Sequence, residues 1–230
     1  MRFLLLTLLI MACESPTDDV VIPEEFPSVT FRFPLPDRDR FSVLVGIDHD
    51  PIDHSDEPFG DAICTAYDGR HFPHCYDQHD GSDYLLNGDV EQMDIDPSPI
   101  VAAADGVVID TRDGFYDKCH ISAGGDISCD GHPIKANYVI VQHMNGYTSR
   151  YWHMRKDSVA VQVGDQVLCG DKLGEVGSSG RSSKPHLHFE VQRPDGLVID
   201  PYAGSFSQEE TYWTEQRGTD ELPGAACAAG

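Results

Sequence analysis

The chain has 230 residues and a formal net charge of −23 at pH 7, with 39 acidic side chains against 16 basic ones. That length holds one domain with a sizeable core plus flanking segments. The charge repels nucleic acid and anionic lipid, so no nucleic acid is expected as a partner, and an acidic surface of this kind keeps an exported protein soluble.

In chain order, Arg2 precedes an apolar run over residues 3–10 that ends in Met11-Ala12-Cys13. A positive start, a short apolar stretch and a small residue before the cut describe an export signal, so residues 1–12 are read as a signal peptide, too short to span a bilayer. Ile10-Met11-Ala12-Cys13 resembles the lipobox of bacterial lipoproteins, in which the cysteine thiol is lipidated and becomes the mature N-terminus. The resemblance implies Cys13 as the lipidation site and the only membrane contact; a plain cleaved signal with an incidental cysteine is the alternative. Residues 13–30 are acidic, contain Pro16, Pro23 and Pro27, and read as a tether. Glu14 after Cys13 resembles the pattern of lipoproteins sorted to the outer membrane, facing the periplasm or the cell surface.

Residues 31–75 are rich in Asp, His and Pro and read as a loop-rich extension with short strands. Residues 100–109 read as two strands around Asp105-Gly106, and the segments 138–143 and 147–153 flank Asn145-Gly146, a hairpin signal. Residues 159–180 alternate Val161, Val163, Val167, Leu173 and Val176 with Gly164, Gly170, Gly174 and Gly177, which predicts short strands with glycine turns. Residues 186–192 form a further strand before Pro194-Asp195-Gly196. No long segment has a helical period, so the expected class is mostly β, a compact antiparallel sheet or half-barrel with long loops. The tail, residues 205–230, is polar, then Gly/Ala-rich, and is expected to be loosely ordered unless Cys227 is bonded. Cys13 aside, Cys64, Cys75, Cys119, Cys129, Cys169 and Cys227 are an even set in an exported chain. Many pairings are open; short loops favour Cys64 with Cys75 and Cys119 with Cys129, leaving Cys169 for Cys227. No C-x-x-C spacing supports a cysteine-ligated metal instead.

Chemistry concentrates in two places. In His186-Leu187-His188-Phe189-Glu190, strand alternation sends both imidazoles to one face and Leu187 and Phe189 to the core. Such a pair suits a metal ligand with a second histidine beside the metal, or a pair of surface histidines. In His79-Asp80-Gly81-Ser82-Asp83, the central residues disfavour a helix, and a straight strand would hold His79 and Asp83 roughly 13 Å apart, so a bend at Gly81 is needed to bring them to one ion. His49-Asp50-Pro51-Ile52-Asp53 has the same spacing but a proline where the bend must fall. The Asp48, Asp50 and Asp53 cluster reads as a calcium site or, preferably, a solvated acidic loop. His54, His71, His74, His120, His132 and His143 read as surface or structural.

Together these pieces resemble the lysostaphin-type, LytM-like zinc peptidoglycan endopeptidases. The ordered elements are His79-Asp80-Gly81-Ser82-Asp83, the strand pair from Val101 to Val108, Tyr151-Trp152-His153, the Val161 to Gly170 stretch and Pro185-His186-Leu187-His188-Phe189-Glu190. They span residues 76–202, and the resemblance implies a metallopeptidase domain over 76–204. It implies zinc as cofactor, His79, Asp83 and His188 as its ligands, and His153 and His186 as catalytic histidines. It also implies peptidoglycan as the substrate, cut at a cross-link or stem-peptide bond. Lys184 stands where glycine is usual, and residues 115–135 are longer than a minimal hairpin, which suggests a lid or cleft wall. Two rivals differ in class. One is a non-catalytic envelope protein of the same fold that activates other wall hydrolases; intact ligands count against it. The other is a biotinyl/lipoyl-like carrier using Lys172, which would leave the histidine box unexplained.

Overall fold

The computed structural model describes residues 29–228; the expected signal peptide, most of the expected tether and Cys13 lie outside the described residues. The strands are β1 (Phe41–Val45), β2 (Ser82–Leu86), β3 (Pro99–Val101), β4 (Gly106–Arg112), β5 (His120–Ile121), β6 (Ile127–Ser128), β7 (Tyr138–Gln142), β8 (Thr148–Trp152), β9 (Gln166–Val167), β10 (Lys172–Glu175), β11 (His186–Gln192) and β12 (Val198–Ile199). A short helix, α1 (Val90–Ile95), is capped by Asp89, whose carboxylate accepts from the backbone N–H of Glu91 and Gln92. Among the described residues no helix is long and apolar enough to cross a membrane.

The fold is mostly β, as expected. Its main sheet runs β1-β2-β11-β8-β7-β4-β9, with β12 also on β11, and its pairings are antiparallel. β11 is interior, flanked by β2 and β8, and alternation along it sorts the faces. Leu187 and Phe189 point inward with Tyr84 of β2, Tyr151 of β8, Val139 and Val141 of β7 and Val108 of β4, all fully buried. The opposite face carries His188 and Glu190. The β7–β8 hairpin closes through Met144–Gly146, where Asn145 (φ 60) and Gly146 (φ 80) take the left-handed backbone that this dipeptide tolerates.

Residues 100–109 do contain two strands, but these do not pair with each other. β3 pairs with β10, while β4 joins β7 and β9. Between them Ala102 and Ala103 are fully buried, and their backbone is engaged at long range: Ala102 N–H donates to Asp171, and Ala103 N–H donates to the Tyr151 hydroxyl. Small side chains let this fully buried segment pack closely within the core.

Both flanking segments enter the same core. Phe31, Phe33 and Leu35 are fully buried, and Trp213 (2 % exposed) stacks on Phe189 with centroids 5.7 Å apart. Each such side chain contributes about 2 kcal/mol of hydrophobic stabilisation. Backbone bonds knit the two ends: Phe31 N–H donates to Tyr212, Thr214 N–H to Phe31, and Phe33 N–H to Gly224. The disulfides are Cys64–Cys75, Cys119–Cys129 and Cys169–Cys227. The last holds the tail, which is therefore ordered.

Candidate metal centre

The centre forms where β2, β11 and the end of β8 meet. Asp83 is the register partner of His188 across β2–β11, and Trp152 is its partner across β11–β8, which puts His153 one residue beyond the strand end. His79 arrives from the preceding loop. The chain bends at Gly81, but the backbone there stays outside the left-handed region. Glycine is required for space: a Cβ at Gly81 would stand 2.5 Å from Cε1 and Nε2 of His188.

The separations are short. His79 Nε2 lies 3.1 Å from His188 Nδ1 and 3.3 Å from Asp83 Oδ1, and His188 Nδ1 lies 2.8 Å from Asp83 Oδ1. A tetrahedral ion with bonds of about 2.0–2.1 Å holds its ligand atoms about 3.3 Å apart, so the set fits one ion. Hydrogen bonding supports the fit. His79 Nδ1–H donates to the Gly46 carbonyl at 2.7 Å, just past β1, which leaves the Nε2 lone pair facing the other two donors. Two imidazole nitrogens and a carboxylate this close need a proton or a cation between them.

His153 and His186 stand beside this cluster. Their ring centroids are 4.6 Å apart, and His153 is 5.9 Å from His188. Nδ1–H of His153 donates to the Ser179 carbonyl at 2.7 Å, and Nδ1–H of His186 to the Lys184 carbonyl at 2.8 Å. Carbonyls only accept, so each Nε2 keeps a free lone pair. His186 Nε2 is 3.5 Å from Asp83 Oδ1. His153 has φ 62, a left-handed backbone that is uncommon for a side-chain-bearing residue and is the kind of strain found at functional sites.

The electrostatics follow. Burial works to raise the Asp83 pKa, but His79, His186 and His188 hold it well below the usual carboxylate range. Removal from water, with the adjoining His186 and His188 rings, holds His153 well below the ordinary histidine range; burial also lowers His186. Both rings are thus neutral proton acceptors near pH 7. His188 behaves oppositely: burial opposes its charge, yet the Asp83 and Glu190 carboxylates raise its pKa to about 10.

All five histidine and aspartate residues expected at the site come together. The rival His49 does not: its Nε2 lies 3.0 Å from the buried Asp200, and Asp53 caps Ser55 N–H. Asp48 accepts backbone N–H groups from Asp50, Thr65 and Gln78, so it ties loops together. Residues 115–135 contain the β5–β6 pair closed by Cys119–Cys129. They back the loop that holds His153, because Cys119 N–H donates to Ser178. Two neighbours escaped the sequence reading. Tyr76 stacks on His79 at 4.2 Å, and Glu190 accepts from His188 Nε2 at 3.3 Å. Alternation along β11 could have flagged Glu190; nothing local flags Tyr76.

A mostly β sheet with a histidine- and carboxylate-lined metal centre on one face defines the class of protein. Residues 88–201 match the family described as peptidase family M23. The matched span contains His153, His186 and His188, while His79 and Asp83 lie just before it. The peptidoglycan DD-endopeptidase ShyA of Vibrio cholerae is 35% identical over 94 residues, which is 41% of this chain and 17% of that protein. The DD-carboxypeptidase/endopeptidase Mpg of Neisseria meningitidis is 31% identical over 129 residues, 56% of this chain and 23% of that protein. The chain thus spans about a fifth of the length of the curated relatives it matches. A crystal structure of a zinc-containing peptidase from Vibrio cholerae aligns with TM-score 0.45 at 23% identity, covering 75% of this chain and 39% of that one.

Proposed function

We propose that the protein is a zinc-dependent metalloendopeptidase that hydrolyses peptide bonds, cross-links or stem peptides, in bacterial peptidoglycan. The observation that carries this reading is the convergence of His79, Asp83 and His188 within 3.3 Å, with two further imidazoles alongside. The relative named as a peptidoglycan DD-endopeptidase supplies the substrate class.

In this reading His79 Nε2, His188 Nδ1 and Asp83 Oδ1 hold the zinc. Bound zinc supplies Lewis acidity toward water and toward a carbonyl oxygen. The protein's own groups do the rest. His153 and His186 are neutral, with Nε2 free, so one takes a proton from the attacking water and later gives it to the leaving amine nitrogen. Their Nδ1–H bonds to Ser179 and Lys184 fix ring orientation, so the acceptor lone pairs face the reacting centre. While it holds that proton, the accepting ring presents Nε2–H, which stabilises the developing oxyanion until the proton passes to the leaving nitrogen.

Three disulfides fit an oxidising compartment outside the cytoplasm. With the leader expected over residues 1–12, they support an exported envelope enzyme, which we read as carried on a 13–30 tether and anchored by lipid on Cys13.

The test is incubation with isolated sacculi, with and without chelation, reading released fragments by mass spectrometry. New free amines at a defined peptide bond, lost on chelation and in His188→Ala, are the expected result. No cleavage by folded, zinc-loaded protein would overturn the enzyme reading in favour of an activator of other hydrolases.

A further inference from the structure

Each histidine of the centre has one ring nitrogen tied back, and three of the four are tied to backbone carbonyls: His79 to Gly46, His153 to Ser179 and His186 to Lys184. His188 is the exception. It lies on an interior strand with ladder partners on both sides, so the carbonyls around it are committed to the sheet. Its Nε2 instead meets Glu190 Oε1 at 3.3 Å. Glu190 is two residues further along β11, on the same face, and only 6 % exposed.

That carboxylate is itself held. Its Oε2 faces Arg150 Nη1 at 3.6 Å, and Gln192 Nε2 donates to it at 3.5 Å. Arg150 is the register partner of Glu190 across β8, so the pairing is set by the sheet. Asp80 Oδ1 approaches the same ring nitrogen only to 3.6 Å, beyond hydrogen-bond distance, and its side chain is 64% exposed.

We propose that Glu190 is a positioning residue that fixes the tautomer of His188: by accepting Nε2–H, it leaves the Nδ1 lone pair aimed at the space shared with His79 and Asp83. A buried carboxylate paired with an arginine accepts and does not donate, so Nε2 must carry the hydrogen. The added negative charge also makes the ring a stronger donor and offsets the positive charge of a divalent ion bound by one carboxylate. The inference rests on the reading of His188 as a metal ligand and assigns a further residue to that role.

The experiment measures zinc affinity of the full chain by competition with a chromophoric chelator, for the parent and for Glu190→Ala, Glu190→Gln and Asp83→Ala. Asp83→Ala is expected to lose zinc outright. Glu190→Ala is expected to bind about 10- to 100-fold more weakly, and Glu190→Gln, whose amide oxygen can still accept Nε2–H, to recover most of that loss. Nitrogen NMR of the zinc-loaded parent should find the His188 proton on Nε2, a readout that does not depend on any variant folding. Parent-like affinity in Glu190→Ala while Asp83→Ala has lost zinc overturns the positioning role and leaves the metal reading standing, whereas a proton on Nδ1 overturns both that role and ligation through Nδ1. Parent-like affinity in Asp83→Ala overturns both the positioning role and the metal reading. Two zinc ions per chain, with one lost in each glutamate variant, would make Glu190 a ligand of its own site and also overturn the proposal.

Discussion

Gly81→Ala is the most economical perturbation of the centre, because it adds one methyl group and removes no ligand. Its Cβ would stand 2.5 Å from Cε1 and Nε2 of His188 and 3.1 Å from Cδ2. Carbon atoms in comfortable contact are about 3.5–4.0 Å apart, so something must yield by about 1 Å. The ring has little room to yield, being held at Nε2 by Glu190 on a strand whose Leu187 and Phe189 are fully buried. If the backbone yields instead, it carries Asp83, two residues on, away from the other donors. Metal–ligand distances tolerate about 0.2 Å, so either movement opens the site. Zinc affinity should fall by about 100-fold, and overpacking should lower stability by about 1–3 kcal/mol. Chelator competition and thermal unfolding on the same samples separate the two effects. Gly124→Ala, whose Cβ meets only Ser122 Oγ at 3.8 Å, is the control. A folded Gly81→Ala protein that binds zinc as tightly as the parent would refute the reasoning.

Zinc uptake at pH 7 should release about one proton, because metal must displace the proton that Asp83 and Glu190 hold on His188; calorimetry in buffers of different ionisation enthalpy reads it. Replacing both Cys169 and Cys227 with Ser opens a loop of sequence separation 58, which in the chain-entropy picture costs about 4 kcal/mol and should appear as a lower melting temperature. His143 is buried, and burial lowers its pKa, so the unfolded chain takes up a proton below about pH 6.5 that the folded chain resists. Its contribution is present above that pH and lost below it, so the stability advantage of the parent over His143→Gln should shrink between pH 7 and 5 in chemical denaturation.

The parts of this molecule legible in its sequence are those governed by local periodicity. Alternation across residues 186–192 sorted His188 from Leu187 and Phe189, and Asn145-Gly146 marked the hairpin that carries His153. Short loops pointed to two of the disulfides. Long-range choices were not legible. Nothing in residues 100–109 says that β3 pairs with β10 rather than with β4, because that partner is over seventy residues away. The bend at Gly81 was readable, but the stronger reason for glycine, the ring of a histidine on another strand, exists only once the sheet has formed. Phe31, Phe33 and Trp213 looked like residues of flanking segments, since their burial depends on two distant stretches meeting.

The seam between those stretches also sets how the domain takes a pull. Tension arriving from the N-terminal side enters at Phe31, whose bonds to Tyr212 and Thr214 pass it to a tail clamped by Cys169–Cys227. The loop that this disulfide closes, residues 169–227, contains β11, so the tail bonded to Phe31 belongs to the same covalent ring as His186 and His188.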